Sequence, residues 1–420
     1  ALNNPRMASP SALAGDQARN TRPERLANVP TIKLDSGQID FTTWAIHKSL
    51  YHPIFQVIDQ DYWTYGFAPR YTGEFALGGM RNQLIAGMRF FGGNNDARQY
   101  VNVNGNRGAQ TLNSAQDAYN YELYLEDRLY VLPTVALMAG AKAYRNRREY
   151  KDYGGLPTNP TPKSDATSYS GVNPKFGVLW EPKKNVQAFI DITRSADVPD
   201  FTDLNQTIGM TQQFVPLAAQ HGWTLELGTR GQQDRFGWDL TLYRSLVRDQ
   251  LLQYTVSPDI PASTFNANKT TLQGVELGAN VDVLRNVFGS GDKVNVSQLW
   301  NYSDFRFDND PVYGNNRIAG VPQHVLRTTL AYSRNSRLRV AGTIDWVPTG
   351  AWVDYANTLK VPSYVLFGIE ASYEFERGVT LFLDARNLTD KRYISDFSTV
   401  TDARTANTSV FYPGSGRAFY

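Results

Sequence analysis

The sequence predicts an all-β chain, an antiparallel up-and-down transmembrane β-barrel read from roughly 16 strand segments. Three observations carry that prediction. Apolar and aromatic residues recur with period two over runs longer than a soluble sandwich needs. Short turns alternate with long polar connections along the chain. No segment shows a 3.6-residue apolar stripe of helical length.

The period-two signal is clearest after residue 62. Trp63, Tyr65, Phe67, Pro69, Tyr71, Gly73 and Phe75 fall on one face, and Thr64, Gly66, Ala68, Arg70, Thr72 and Glu74 on the other. Further on, Tyr119, Tyr121, Leu123 and Leu125 oppose Asn120, Glu122 and Glu126. Trp238, Leu240 and Leu242 oppose Asp239 and Thr241, and Val365, Phe367, Ile369 and Ala371 oppose Gly368, Glu370 and Ser372. Such a strand meets lipid with its aromatic face and a lumen with its polar face. Tyr and Trp near strand ends suit the wet edge of a bilayer, where one end of the ring is apolar and the other polar.

The connections give the topology. Short turns join the segments near 63–75 and 83–91, 119–131 and 135–145, 175–180 and 186–193, and 364–375 and 378–388. The last of these turns is Glu376-Arg377. Residues 92–116, 146–169, 195–222, 257–268, 308–323 and 395–415 read as long polar loops. Short turns belong on the periplasmic side and long loops outside. The segments near 38–50, 83–91, 135–145, 186–193, 236–252, 293–306, 337–346 and 378–390 therefore run outward. Trp63, Tyr65, Phe67 and Tyr71 should point away from the barrel axis, and Arg70 and Glu74 toward it.

Composition excludes several classes. With 42 basic and 40 acidic residues the 420-residue chain has a net charge of +2, which argues against a nucleic-acid partner neutralising many phosphates. The absence of Cys removes disulfides, thiolate metal sites and Cys nucleophiles. Mean hydropathy is −0.42. The longest apolar candidate, 132–141, is interrupted by Pro133 and Thr134, far short of the roughly 20 residues of a membrane helix.

No constellation points to an enzyme, a cofactor or a metal. There is no Gly-x-Ser-x-Gly, His-Glu-x-x-His or P-loop. His47, His52, His221 and His324 are scattered. Asp59 and Asp61 flank Gln60 in an expected outer loop, where a solvated pair is the simpler reading than a cation site, and Asp197, Asp200 and Asp203 lack the regular ligand spacing of a Ca²⁺ loop. The binding candidates are loop residues. Arg145, Arg147, Arg148 and Tyr150 form one cluster, suited to an anionic, aromatic or chelate ligand because guanidinium forks pair with carboxylates. His52, Tyr62 and Trp63 form a second, and Tyr313 with Arg317 a third. Arg70, Glu74, Glu122 and Arg128 read as lumen-facing.

Several segments, in order, resemble the TonB-dependent outer-membrane receptors. They are residues 173–182 (Asn-Pro-Lys-Phe-Gly-Val-Leu-Trp-Glu-Pro), 186–201, 225–231 (Leu-Glu-Leu-Gly-Thr-Arg-Gly), Gly274-Val275-Glu276, 320–324 (Gly-Val-Pro-Gln-His), 386–393 (Arg-Asn-Leu-Thr-Asp-Lys-Arg-Tyr) and 412–417 (Tyr-Pro-Gly-Ser-Gly-Arg). The likeness covers about residues 170–420 and implies a bacterial outer-membrane barrel of about 22 strands, of which the last 16 or so fit here. Nothing in the chain resembles the family's plug domain or its energy-coupling TonB box. The resemblance therefore implies a partial barrel domain, 1–420, cut at both ends. It implies uptake of a ferric siderophore or similar chelate, with the inner-membrane TonB complex engaged through the missing part and outer-membrane lipid around the wall. Arg70, Glu74, Glu122 and Arg128 would then face the plug. A passive porin-like channel, or uptake of a cofactor or vitamin, stays open as an alternative. The sheet should have a seam between the strand near Gln38 and the strand near Phe419.

Overall fold

The computed structural model describes residues 4–5, 7–156, 163–208, 211–257, 262–376, 378–405 and 409–420. Arg377 of the expected turn, and parts of the expected loops 146–169, 195–222, 257–268 and 395–415, lie outside the described residues.

The chain is strand almost throughout. In order come β1 (Asn20–Asn28), β2 (Thr31–Leu34), β3 (Gly37–Pro53), β4 (Gln56–Leu77), β5 (Met80–Val103) and β6 (Asn106–Leu132). Then follow β7 (Val135–Asp152), β8 (Asp165–Lys183), β9 (Val186–Asp197), β10 (Asn205–Ile208), β11 (Thr211–Phe214) and β12 (Gln220–Gln233). The next are β13 (Phe236–Tyr254), β14 (Ser263–Arg285), β15 (Asp292–Phe307), β16 (His324–Arg334) and β17 (Leu338–Val347). The last are β18 (Tyr364–Glu374), β19 (Thr380–Arg386), β20 (Ile394–Phe397), β21 (Phe411–Pro413) and β22 (Ala418–Phe419). The described helices are α1 (Pro10–Ala14) and α2 (Phe201–Leu204), of 5 and 4 residues. No described helix is long and apolar enough to cross a membrane.

One 18-stranded sheet takes up β1 to β9, β12 to β19 and β22, while β10–β11 and β20–β21 are separate hairpins. Every ladder in the large sheet is antiparallel, and from β3 to β19 sheet neighbours follow chain order. This is the expected meander, with 18 strands against the roughly 16 read from sequence. The difference is β1 and β2, both of which pair with β3 alone. Pro23 and Pro30 sit in or beside them and charged residues break their alternation, a pattern an edge strand tolerates.

A second correction concerns the stretch 92–116. It is not a loop but the far half of a long hairpin, β5 and β6, closed by Asn104-Gly105. Both residues have positive φ, 49° and 82°, as a two-residue type I′ turn demands. Likewise residues 146–152 and 165–169 continue β7 and β8 rather than lying in a loop.

Register fixes the two faces. Thr43, Phe67, Phe90 and Tyr121 stand opposite one another across β3 to β6, with the Phe90 and Tyr121 rings 5.0 Å apart. Trp63, Tyr65 and Phe67 are exposed on that face. Tyr71 shares it, while Arg70 and Glu74 alternate to the other. The polar face is the one onto which a loop folds and which buries Asn95, Gln116, Asn120 and Arg148, so it is the lumenal face.

Among the described residues no ladder joins the two ends of the sheet. The edge at β1 and β2 pairs only with β3, and β22 pairs only with β19, through Ala385–Phe419 and Arg386–Ala418. The expected seam is present, displaced by one strand because β1 and β2 lie outside β3.

Candidate functional site

The lumenal face of β4 to β7, near its long-loop end, carries the densest buried polar patch. Tyr62, Asn95, Gln116 and Tyr150 form one cross-strand row. The neighbouring rows add Arg148, then Asn120 and Asn146. Asn95 Nδ2 donates to Gln116 Oε1 at 3.0 Å, and Asn146 Nδ2 donates to Asn120 Oδ1 at 2.5 Å. Arg148 is 6% exposed and donates to Asn120 Oδ1 at 3.0 Å and to the Arg147 carbonyl at 3.1 Å. Among the described residues no carboxylate lies within 4.0 Å of its guanidinium. The Asn95 and Asn146 side-chain oxygens are buried without a donor. A buried cation with no carboxylate in contact, compensated only at longer range by Asp200, beside unfilled amide acceptors can take a ligand that presents both negative charge and hydrogen-bond donors.

Residues 198–208 and 211–219 cover this patch. Asp200 caps α2 through a capping box with Asp203, which turns the chain back toward the wall. Leu204 and Phe214 pack against Tyr150, with the Phe214 and Tyr150 rings stacked at 5.9 Å. On the far side Asp203 accepts from Thr264 at 3.0 Å, and Asn266 exchanges hydrogen bonds with both backbone groups of Ala218. The cover thus reaches from β7 to β14. Asp200 and Asp203 are occupied in holding it, and no group of potential metal ligands occurs among the described residues.

The sequence-predicted residues divide between the faces. Tyr62, Arg148 and Tyr150 come together in the patch. Arg145 and Arg147 sit on the opposite, outward face in the rows of Tyr121 and Tyr119, with Arg147 paired to Glu149. Trp63 is also outward, stacked on His47 at 4.8 Å. All of these belong to β4 or β7, not to loops. His52 lies at the end of β3, its ring nitrogen 2.6 Å from the Ala18 carbonyl. Asp59 and Asp61 pair with Arg107 at 2.5 Å and His47 at 3.0 Å.

Tyr313 and Arg317 lie elsewhere, in the connection after β15. Tyr313 packs on Phe307 and Tyr355, with ring centroids 4.9 and 5.7 Å away. Arg317 pairs with Asp304 at 3.0 Å. Phe307, Tyr355, Leu252, Ala267 and Ile318 build the largest apolar cluster, which binds the long connections of β13 to β18 together. Burial pushes the Tyr355 phenol well above its ordinary value, and its hydroxyl donates to the Gln253 carbonyl at 2.8 Å. Fully buried Asp354 accepts from the Thr358, Leu359 and Ala403 amides and from the Thr358 hydroxyl, tying residues 348–363 to 398–405.

The four expected lumenal charges share one face. Gln83 donates to Glu74 at 3.1 Å and accepts from Arg128 at 3.4 Å. Glu122 pairs with Arg89 at 3.2 Å and Lys142 at 3.3 Å. Arg70 is exposed, opposite Asp40. Sequence reading placed Asn120 on the polar face of its strand but missed Asn95, Gln116 and Asn146, which fall in stretches whose polar composition reads as loop.

This wall is that of an outer-membrane receptor barrel. Residues 16–388 match the family described as TonB dependent receptor-like, beta-barrel, and the chain belongs to that family. That family consists of outer-membrane transporters rather than enzymes, and this chain corresponds to its barrel. A relative named "Probable TonB-dependent siderophore receptor PiuA", from Acinetobacter baumannii, is 26% identical over 322 residues, covering 69% of this chain and 40% of the relative. The chain thus spans less than half the length of that relative. The ferric citrate transporter FecA in its unliganded form superposes with a TM-score of 0.77 at 15% identity, over 96% of this chain and 61% of FecA. The siderophore receptor PiuA structure gives 0.73 at 17% identity, over 96% and 63%.

Proposed function

We propose that residues 1–420 form one partial barrel domain of a receptor that takes up an anionic ferric siderophore or similar iron chelate, energised by the inner-membrane TonB complex. The observation that carries this reading is Arg148. It is a buried lumenal cation with no carboxylate in contact and only Asp200 at longer range, set among amides with unfilled acceptors and covered by residues 198–208 and 211–219. A ferric chelate with carboxylate, catecholate or hydroxamate oxygens supplies the missing negative charge. The siderophore receptor relative supports iron as the cargo. Tyr62, Arg148 and Tyr150 would contact ligand first. Glu74, Glu122, Arg128 and Arg70, lower on the same face, would meet a plug. Tyr313, Arg317 and His52 would shape the loop rim, and Arg145, Arg147 and Trp63 the outer belt.

The test is Arg148→Gln in the receptor purified from outer membranes, with binding of ferric citrate, a ferric hydroxamate and a ferric catecholate measured beside iron-limited growth. Loss of a charged hydrogen bond of about 1.5–3 kcal/mol should weaken the bound chelate roughly 10- to 100-fold. Unchanged affinity for a chelate that the receptor binds would refute the role of Arg148. Failure of all three to bind or to support growth would refute iron uptake.

A further inference from the structure

The cover and the wall meet with an excess of hydrogen-bond acceptors. On the wall Arg148 fixes the amide orientations, because a guanidinium only donates. It donates to Asn120 Oδ1 at 3.0 Å, so Asn146 must offer its nitrogen to that same oxygen and turn its own oxygen away. Asn95 likewise spends its nitrogen on Gln116 Oε1 at 3.0 Å. The Asn95 and Asn146 oxygens are both buried with no donor among the described residues. The cover repeats the pattern. In its hairpin Asn205 stands opposite Phe214, and Thr207 opposite Gln212. Opposed residues of an antiparallel pair share a face, and alternate residues of one strand do too. Asn205 and Gln212 therefore lie on the face whose Phe214 ring stacks on Tyr150 of the wall. Asn205 Oδ1 and Gln212 Oε1 are again buried with no donor. Four unfilled amide oxygens, two from each side, thus belong to the interface that buries Arg148.

We propose that the chelate held here carries several N–H donors of its own, in amide linkers, beside the anionic oxygens that Arg148 takes. This rests on the chelate reading above and narrows it. Protein interiors leave few acceptors unfilled. A ligand that enters the interface displaces water, and one that does not return the lost donors loses affinity. Ferric citrate and a bare catecholate complex present oxygen acceptors over their surface. They satisfy Arg148, but they set oxygen against oxygen at Asn95, Asn146, Asn205 and Gln212, which selects against them. A hydroxamate chelate strung on amide linkers presents both kinds of group, oxygens around the metal and N–H groups along the linkers. Two of the four acceptors sit on the cover, so such a ligand bridges cover and wall, and selection is completed only with the cover in place.

The experiment uses the receptor purified from outer membranes and two ferric trihydroxamates that differ only in their linkers, amide in one and ester in the other. The ester removes the N–H, adds no bulk and leaves the metal centre unchanged. Titration calorimetry should show the amide chelate binding at least tenfold more tightly. In an Asn95→Ala/Asn205→Ala/Gln212→Ala variant the difference between the two should shrink to less than threefold. Heat-modifiable gel migration and hydrogen exchange over 201–215 establish that this variant is folded and its cover docked. The comparison on the unaltered receptor stands whether or not the variant folds. Equal affinity for the two chelates overturns the donor requirement and leaves iron uptake standing. Undiminished discrimination by the folded variant overturns these amides as its source. Binding of ferric citrate or a ferric catecholate with neither trihydroxamate bound also overturns the inference. Failure of every ferric chelate to bind removes the iron reading, and this narrowing with it.

Discussion

Leu204→Ala should release the cover from the lumenal patch while leaving the wall intact. Leu204 is fully buried and packs with Phe214 against Tyr150, the apolar anchorage of the cover on β7. Truncating a fully buried leucine costs about 2–5 kcal/mol, and a value near 3 is reasonable where a loop can partly collapse. At 1.4 kcal/mol per tenfold, the undocked population should rise roughly 100-fold. The reporter is the Val215 amide, which donates to the Leu204 carbonyl at 2.7 Å inside the cover and is held closed by the packing of Leu204 and Phe214 on Tyr150. Hydrogen exchange on the detergent-solubilised receptor should show peptides spanning 201–215 exchanging about 100-fold faster. Peptides from β13 should remain protected. If the 201–215 peptides keep their exchange rate, the polar anchors at Thr264 and Asn266 hold the loop alone, and the reasoning from Leu204 and Tyr150 is wrong.

Asp354→Ala leaves three backbone amides and the Thr358 hydroxyl without their acceptor, each costing about 1–3 kcal/mol when buried, so trypsin should cut at Arg404 much faster than in the parent. The raised Tyr355 phenol stabilises its cluster fully below the ordinary value of about 10, and that contribution is lost as pH rises through the folded-state value. Ultraviolet titration should therefore show Tyr355→Phe removing a tyrosine that ionises only well above pH 10, and a normal titration of that residue would contradict its burial.

The wall was legible in the sequence because period two survives wherever one face meets lipid and the other a lumen. Trp63, Tyr65 and Phe67 opposite Thr64, Gly66 and Ala68 read correctly for that reason. The site was legible only in part. Arg147 and Arg148 are adjacent in sequence, look equivalent, and point to opposite sides of the sheet. Once residues 146–152 were taken for loop, no parity rule could separate them. Asn95, Gln116 and Asn146 are hidden in the same way, since buried amides under a folded-in loop have the composition of a solvated connection. Which loop folds inward depends on contacts such as Leu204 with Tyr150 and Asp203 with Thr264, remote in sequence and without a local signature.

The two free edges bear on how the chain behaves alone. β1 and β2 comprise 9 and 4 residues, all exposed, and alternate residues direct both N–H and C=O away from β3. Roughly a dozen backbone groups are thus unpaired, and each one at hydrocarbon depth costs several kcal/mol that lipid cannot offset. At the other edge β22 covers β19 through only two residue pairs. Joining the edges directly would change tilt and shear throughout, and would disturb lumenal partners such as Glu74, Gln83 and Arg128. The isolated 420-residue chain should therefore aggregate on refolding into detergent rather than insert. Heat-modifiable migration with stable single-channel conductance steps from this chain alone would show that the edges can meet. It would also revive the passive pore as a rival to energised uptake.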